Sequence, residues 1–279
     1  MANRYSVAFL SAIFRESQTD PIYLSYASTV DIQSFSAGKP LPLSPVLCPG
    51  GDFSPLLPSQ HCTKETQELL RYMRDITEVS LKLHQSNFTS GPETEPFQQD
   101  CVNMINSIYH RVLHLPSTTN DYKYESIRLA ATVYVTAIAT RAPFSSAAAA
   151  LSQSWSPTLI SDLKNALQKS DLSSNWKEMA GVLLWATLVG GAAARRHEER
   201  RWIVAVAIKS FVLLIFEHGG AIIQSLRKLV LVMEMIGQGS QREEGGALAD
   251  AFGLGDNTAR FLRTDALDYE SSTNDQFGA

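Results

Sequence analysis

Few residues of this chain have the types and spacing that metal or acid–base chemistry requires. His110 and His114 lie four residues apart in HRVLH, a spacing that places two imidazoles on one face of a helix, as in helical zinc sites. The glutamate of a hydrolytic zinc motif is missing between them, and the sequence offers no third ligand. We therefore interpret the two histidines as a surface pair and predict no metal site.

The remaining sequence contains no recognisable catalytic pattern. Cys48, Cys62 and Cys101 are too few and too scattered for a disulfide framework or a four-cysteine zinc site, and they fit a reducing compartment. There is no phosphate-binding glycine loop, no G-x-S-x-G elbow and no kinase signature. We predict no catalytic residues, no cofactor and no enzymatic activity. A catalytic set assembled from scattered serines and aspartates remains the open alternative.

The distribution of charge argues against nucleic acid as a direct ligand. The formal net charge is -4, whereas phosphates favour a basic face or domain. Between Arg242 and Asp275 eight acidic residues outnumber three arginines, and bulky apolar residues such as Phe252 and Phe261 lie among them. This mixture is typical of disordered activation segments. A plain flexible tail and a short helix docked on the core are the alternatives.

Hydrophobic periodicity predicts that the rest of the chain is helical. Thr63 is a suitable N-cap for a helix that continues through Leu83, and Pro116 ends the next one. Breakers then separate the further helices that we predict, which are Tyr122–Thr140, a turn or two within Ser145–Gln153, Pro157–Lys169, and Ile222–Ile236. No segment shows a convincing strand pattern.

The stretch from Asn175 to Phe216 reads as two buried helices joined by a charged corner. Asn175 and Glu178 have the spacing of a capping box, and Gly190 and Gly191 would let another helix approach closely. We interpret the basic cluster Arg195–Arg201 as a solvated corner rather than a nuclear localisation patch. Neither apolar run reaches the roughly 20 residues that a membrane span requires, so core helices are the better interpretation.

These patterns together predict an all-α protein with three regions. Residues 1–60 form a short N-terminal helix and a Pro-rich extended linker or surface loop, which includes Gly38–Gln60. Residues 61–238 form a multi-helix bundle, in which Trp176, Trp185 and Trp202 pack between helices. Residues 239–279 form a flexible acidic tail.

Three blocks, in their order and spacing, resemble the C-terminal regulatory region of fungal-specific transcription factors. The blocks are YESIRLAATVYVTAIATRAPFS (Tyr124–Ser145), NWKEMAGVLLWATLVGGAAA (residues 175–194) and RRWIVAVAIKSF (Arg200–Phe211), and SPLLPSQH (Ser54–His61) is similar to the usual lead-in. The likeness covers roughly Ser54 to Gln238. It implies an all-α regulatory domain that acts in the nucleus, with the cytoplasm also possible, on a metabolic or secondary-metabolite gene set.

The chain departs from that family in one respect. The family's zinc binuclear cluster needs six closely spaced cysteines, whereas this chain has three scattered ones and no basic segment to grip phosphates. Direct DNA binding is therefore doubtful. The chain is expected to be a regulatory half without its DNA-binding segment, a companion protein that acts through other regulators, or a chain whose first exon is missing.

Two classes of function follow from the sequence. In the first, the chain is a transcription regulator or regulatory companion that binds the transcription machinery, a dimer partner or a small-molecule effector, and no membrane. In the second, it is a helical ligand carrier or enzyme with a pocket between its helices. A deep closed cavity with convergent titratable groups would distinguish the second class from the first.

Overall fold

The structure is a computed structural model that describes residues 2–33, 39–56, 62–86, 94–118, 120–173 and 176–241. Within these ranges the chain forms ten α-helices and no β-strand, which confirms the predicted all-α class. The helices are α1 (Ala2–Arg15), α2 (Pro21–Thr29), α3 (Lys64–Ser86), α4 (Thr94–Leu113), α5 (Tyr122–Thr140), α6 (Phe144–Ser154), α7 (Leu159–Lys169), α8 (Ala180–Ala193), α9 (Arg200–Glu217) and α10 (Gly219–Gln241).

Helix α5 lies at the centre of the bundle and packs against α3, α4, α6, α7 and α8. Its bounds match the prediction, because the Asp121 carboxylate accepts the Lys123 and Tyr124 N–H groups at 3.1 and 2.9 Å. The helix ends at Thr140, and Arg141 follows it in the left-handed backbone conformation, with φ 51°. Thr63 likewise caps α3, since its hydroxyl accepts the Thr66 N–H at 3.2 Å. The predicted Thr63 cap is thus confirmed, whereas the Asp121 cap of α5 was not predicted.

Helix α8 is buried along its whole length, and its glycines allow the predicted close approach of neighbouring helices. A Cβ atom at Gly190 would lie 2.7 Å from the Leu163 side chain of α7, and one at Gly191 would lie 2.7 Å from the Phe14 ring of α1. The predicted capping box is wrong in one part, because α8 begins at Ala180 and Glu178 precedes it. Asn175 lies outside the described residues.

The Pro-rich segment, described over residues 39–56, is not the surface loop or linker that its prolines predicted. Its apolar side chains enter the same core as the helices, and those buried are Leu43, Val46, Leu47, Phe53 and Leu56. The segment crosses α8 at Gly181, where a Cβ atom would lie 2.6 Å from the Leu43 carbonyl oxygen. Prolines disfavour regular structure by removing N–H donors, yet they leave the apolar side chains between them free to pack.

The N-terminal helix α1 exists as predicted and packs against α8 and α10. The sequence did not predict α2, a helix of nine residues in which Pro21 holds the first position and the Asp20 carboxylate accepts the Ile22 N–H at 3.0 Å. An aspartate followed by proline is a helix-start signal, but the run behind it is too short to show periodicity. Among the described residues, no helix combines the length and apolarity needed to cross a bilayer.

Candidate functional site

Helix α9 contacts the core through one side. The buried residues Ile203, Ala207, Ser210, Phe211 and Leu214 recur every three or four positions and face α8 and α10. A helix of 18 residues that buries one such stripe normally carries polar residues on the opposite side. Helix α9 does not follow that rule.

The opposite side of α9 is exposed to solvent and, apart from Lys209, apolar. Its large side chains are Ile208, Val212, Leu213 and Phe216, which are 45%, 42%, 62% and 82% exposed, and Ala205 continues the same side. We call these five residues the α9 outer face. They cluster on the side of the helix opposite the buried stripe, because successive residues turn by about 100°. Contiguous exposed apolar patches on proteins commonly mark interaction sites.

The exposure of α9 corrects one sequence-based expectation. Residues 203–216 were predicted to be a buried core helix, because apolar side chains occur on every side of it. The structure buries only half of that circumference. An apolar run of this kind has no preferred direction in the sequence, so periodicity alone does not tell which side meets the core.

The two ends of α9 carry charges of opposite sign. Arg200 and Arg201 form the first turn, and Glu217 ends the helix beside Lys39, with which it forms an ion pair at the surface. The hydrogen bond from Lys39 holds the pKa of Glu217 below its ordinary value, so this carboxylate is ionised at neutral pH. Arg200, Arg201 and Glu217 each lie at the end that the helix dipole disfavours, whereas Glu199 at the N-cap position lies at the end that it favours.

The corner before α9 is solvated, as the sequence predicted, and is held to the bundle by two hydrogen bonds. Arg195 to Glu198 are exposed, whereas the Arg200 guanidinium donates to the Phe14 carbonyl at 2.9 Å. The Ser161 hydroxyl donates to the Glu199 carboxylate at 2.7 Å, and this bond lowers the Glu199 pKa. These anchors fix the direction in which α9 leaves the corner, and with it the position of the outer face.

A second candidate site is an open groove of about 550 Å³ between α5 and α7. At one end Arg128, which is buried, donates to Glu125 through Nε at 2.8 Å and Nη2 at 2.6 Å. The Trp155 ring covers the guanidinium, with its centroid 5.2 Å from the Arg128 carbon. At the other end the Lys169 ammonium lies 5.1 Å from the centroid of the Tyr122 ring.

The ionisable groups of this groove already have partners in the chain itself. The Thr118 N–H donates to the Glu125 carboxylate at 3.3 Å, in addition to the two bonds from Arg128. The Thr158 hydroxyl donates to Asp162 at 2.7 Å. A groove of this kind offers aromatic walls and a charged rim to a ligand, but its geometry pairs no nucleophile with a base.

Within the described residues, the histidine pair and the three cysteines do not come together in one cluster. His110 is exposed on α4 and His114 is exposed directly after the last residue of that helix, and the described residues contain no group of three ligands suited to a metal ion. Cys62 and Cys101 are buried and Cys48 is half-buried, and all three are free. Burial raises the pKa of each thiol, which disfavours the reactive thiolate at neutral pH.

The three tryptophans differ in their packing. Trp176 is buried and donates its indole N–H to Ser170 Oγ at 2.8 Å, and Trp185 is buried edge-on against Tyr134 with ring centroids 5.3 Å apart. Trp202 is only half-buried and packs at the edge of the core. The first two confirm the expected anchoring role, whereas the third lies on α9 between the core and the outer face. The acidic tail from Arg242 onward lies outside the described residues.

No family model matches the chain, and neither the curated proteins nor the solved structures that were searched contain a match to it.

Proposed function

We propose that this chain is a regulatory companion protein of transcription that acts by binding other proteins. The observation that carries the proposal is the α9 outer face, in which Phe216 is 82% exposed and Leu213 is 62% exposed on a helix anchored firmly to the core. A rigid helix that presents an apolar surface is a common form of protein recognition site. The resemblance to the regulatory region of fungal-specific transcription factors supplies the setting, a nuclear regulator of a metabolic or secondary-metabolite gene set.

Charge and cysteine content support action through partners rather than through direct DNA binding. The chain has a formal net charge of -4, which does not favour binding to phosphates, and its three cysteines lie far apart in the sequence rather than in the close spacing of a zinc cluster. A companion protein needs neither, because the regulator to which it binds supplies the DNA contact.

The ligand carrier or enzyme is the second candidate, and the α5–α7 groove is the observation that favours it. Such a ligand would have a planar apolar part, to lie against Trp155 and Tyr122, and an anionic group for Lys169. The groove is open to solvent rather than deep and closed, and its ionisable groups bind one another. It therefore gives this second function less support than the outer face gives the first.

A tethering assay tests the proposed function. The full chain fused to a heterologous DNA-binding domain is expected to change expression of a reporter gene several-fold, and the double variant Leu213→Ser/Phe216→Ser is expected to abolish that change. The matched control is Phe97→Ser, because Phe97 is 44% exposed on α4, away from α9. This control should behave as the wild type.

Three outcomes would contradict the proposal. A silent wild-type fusion, expressed and present in the nucleus, would remove the regulatory role. If the wild type, the double variant and the Phe97→Ser control gave the same reporter response, the regulatory role would not depend on the α9 outer face. A mobility shift of promoter DNA by the purified chain alone would replace the companion role with direct DNA binding.

A further inference from the structure

We infer that a small cleft between α3, α4, α5 and α10 binds a small monovalent anion such as chloride, held by Arg141 and Ser80. None of the residues that line the cleft belongs to α9, so the inference goes beyond the proposed function and does not depend on it. It rests on three features of the cleft, which are an unpaired cation, a buried hydroxyl without a partner and the apolar walls around them.

Arg141 is a half-buried cation that directly follows α5 and lines the cleft. Among the described residues its guanidinium forms no hydrogen bond and no ion pair, whereas those of Arg74 and Arg128 are each paired with a carboxylate. Burial lowers the pKa of Arg141, and no acid among the described residues offsets that effect. A guanidinium nevertheless stays protonated in proteins, so the cleft holds a partly desolvated positive charge that an anion would neutralise.

Ser80 supplies a buried hydroxyl that has no partner among the described residues. It lies on α3, is 2% exposed and lines the same cleft. A buried hydroxyl in a helix commonly donates to the carbonyl four residues earlier, as Thr77 Oγ1 does to the Met73 oxygen at 2.6 Å in the same helix. The Ser80 hydroxyl makes no such bond. Because a buried hydroxyl without a partner costs free energy, this position favours a guest that accepts its hydrogen bond.

The rest of the cleft is apolar and narrow. Its walls are Leu83, Val102, Ile105, Ile138, Ala139 and Met235. The free space is about 10 Å³, which is about what one water molecule needs. A chloride ion is of similar size, whereas the body of an organic acid is too large. Apolar walls also strengthen the attraction between an anion and the guanidinium.

An anion fits these two groups better than a water molecule does. Among the described residues that line the cleft, Ser80 and Arg141 are the only polar side chains, and a guanidinium accepts no hydrogen bond. A water molecule has two hydrogen atoms to donate and would find a side-chain acceptor for at most one of them, whereas an anion only accepts. The charge of Arg141 also reaches His84, whose pKa is lowered first by burial and then by that charge. The local potential therefore favours an anion.

A chloride titration followed through the NMR linewidth of the chloride ion tests the inference. The full chain is titrated at constant ionic strength with sodium gluconate as the balancing salt, because gluconate is too large for the cleft. The wild type is expected to broaden the chloride signal saturably, with a dissociation constant on the order of 10 mM. Arg141→Gln should abolish the saturable broadening. The matched control Arg196→Gln removes an equal charge from the exposed corner before α9 and should behave as the wild type.

A second variant tests whether the hydroxyl belongs to the same site. Ser80→Ala is expected to weaken chloride binding about tenfold, because one of the two donors to the anion is lost. Its helical circular dichroism should not change, since the lost hydroxyl has no partner among the described residues. This variant decides the question even if Arg141→Gln fails to fold.

Two results would overturn the inference. One is a wild-type chain that broadens the chloride signal no more than Arg141→Gln does. The other is equal chloride affinity of the wild type and Ser80→Ala, because the anion would then bind Arg141 at the surface and water would lie beside Ser80. Neither result bears on the proposed function, since the cleft and the α9 outer face share no residue.

Discussion

The carboxylate of Glu16 caps a helix that begins 128 residues further along the chain. Its Oε1 accepts the backbone N–H of Ser145 at 3.0 Å, and its Oε2 accepts the hydroxyl hydrogen of the same residue. Residue Pro143, at the N-cap position of α6, supplies no side-chain bond. Because helix N-termini leave unpaired N–H groups and favour negative charge, a residue at the end of α1 completes α6.

Replacing Glu16 should therefore destabilise α6 and its contact with α1. Glu16→Ala is expected to lower the free energy of unfolding by about 1–2 kcal/mol, the range measured for lost caps. Glu16→Gln should cost less, since the amide oxygen still accepts from Ser145. Urea denaturation at pH 7 measures both. Equal losses for the two variants would show that the charge, rather than the acceptor, matters.

The pH dependence of the Glu16 contribution has a defined sign. Burial raises the pKa of this carboxyl above its ordinary value of 4.5, against the opposing hydrogen bonds from Ser145. The folded state thus binds the proton more tightly than the unfolded state, and this stabilisation is lost as the pH rises from 4.5 through the raised pKa. Relative to Glu16→Gln, the wild type should gain stability as the pH is lowered across that interval.

Two glycine-to-alanine substitutions in helices should have opposite effects on stability. Gly181→Ala would force a methyl group against the Leu43 carbonyl, and we expect a loss of about 1–3 kcal/mol. Gly237→Ala, in α10, meets open space and should stabilise by about 0.5–1 kcal/mol. Thermal unfolding of both variants, followed by circular dichroism, checks the difference. If Gly181→Ala left the stability unchanged, the Pro-rich segment would have to move readily away from the added methyl group.

The two sides of α9 should respond differently to the same substitution. Phe211→Ala removes a ring that is 5% exposed and should cost about 3–5 kcal/mol. Phe216→Ala removes one that is 82% exposed and should change stability by no more than about 0.5 kcal/mol. Chemical denaturation of both variants gives the comparison. Similar losses would indicate that the outer face packs on the monomer itself.

The buried ion pair between Glu125 and Arg128 should matter far more than an exposed one. Glu125→Ala leaves the Arg128 guanidinium, whose side chain is 4% exposed, without its carboxylate, and should cost about 3–5 kcal/mol. Glu78→Ala breaks the partly exposed pair with Lys228 and should cost about 1 kcal/mol or less. Unfolding free energies of the two single variants test the contrast. Comparable values would mean that water reaches Arg128 readily.

Acidification below neutral pH should destabilise the corner between α9 and α10 through His218. This side chain is 4% exposed, its Nδ1 lacks a partner among the described residues, and burial lowers its pKa below the ordinary value of 6.5. The unfolded state then binds more protons, so stability falls as the pH drops through 6.5 toward the lowered pKa.

His218→Gln is expected to flatten this slope between about pH 7.5 and pH 5.5, as measured by urea midpoints. His110→Gln is the matched control, because His110 is exposed on α4. His84, whose pKa burial also lowers, should leave a residual slope in His218→Gln. An unchanged slope in His218→Gln would assign the pH response to other groups.

The sequence by itself determined the features that depend on residues close together in the chain. The period of Leu69, Met73, Ile76 and Leu83 predicted α3, and the Thr63 cap predicted its start, because both arise within a few helical turns. The bounds of α5 and the close approach at Gly190 and Gly191 were predictable for the same reason. Each depends on local backbone geometry or on the absence of a side chain.

Only the tertiary structure decided the features that depend on which surfaces meet. Glu16 is hydrogen-bonded to Ser145, and the segment that contains Leu43 packs its backbone against Gly181, through contacts between residues far apart in the chain. Helix α9 shows the reason most clearly. Its side chains are apolar in every direction, so its sequence specifies no preferred side, and packing against α8 and α10 alone selected which half became core and which became the outer face.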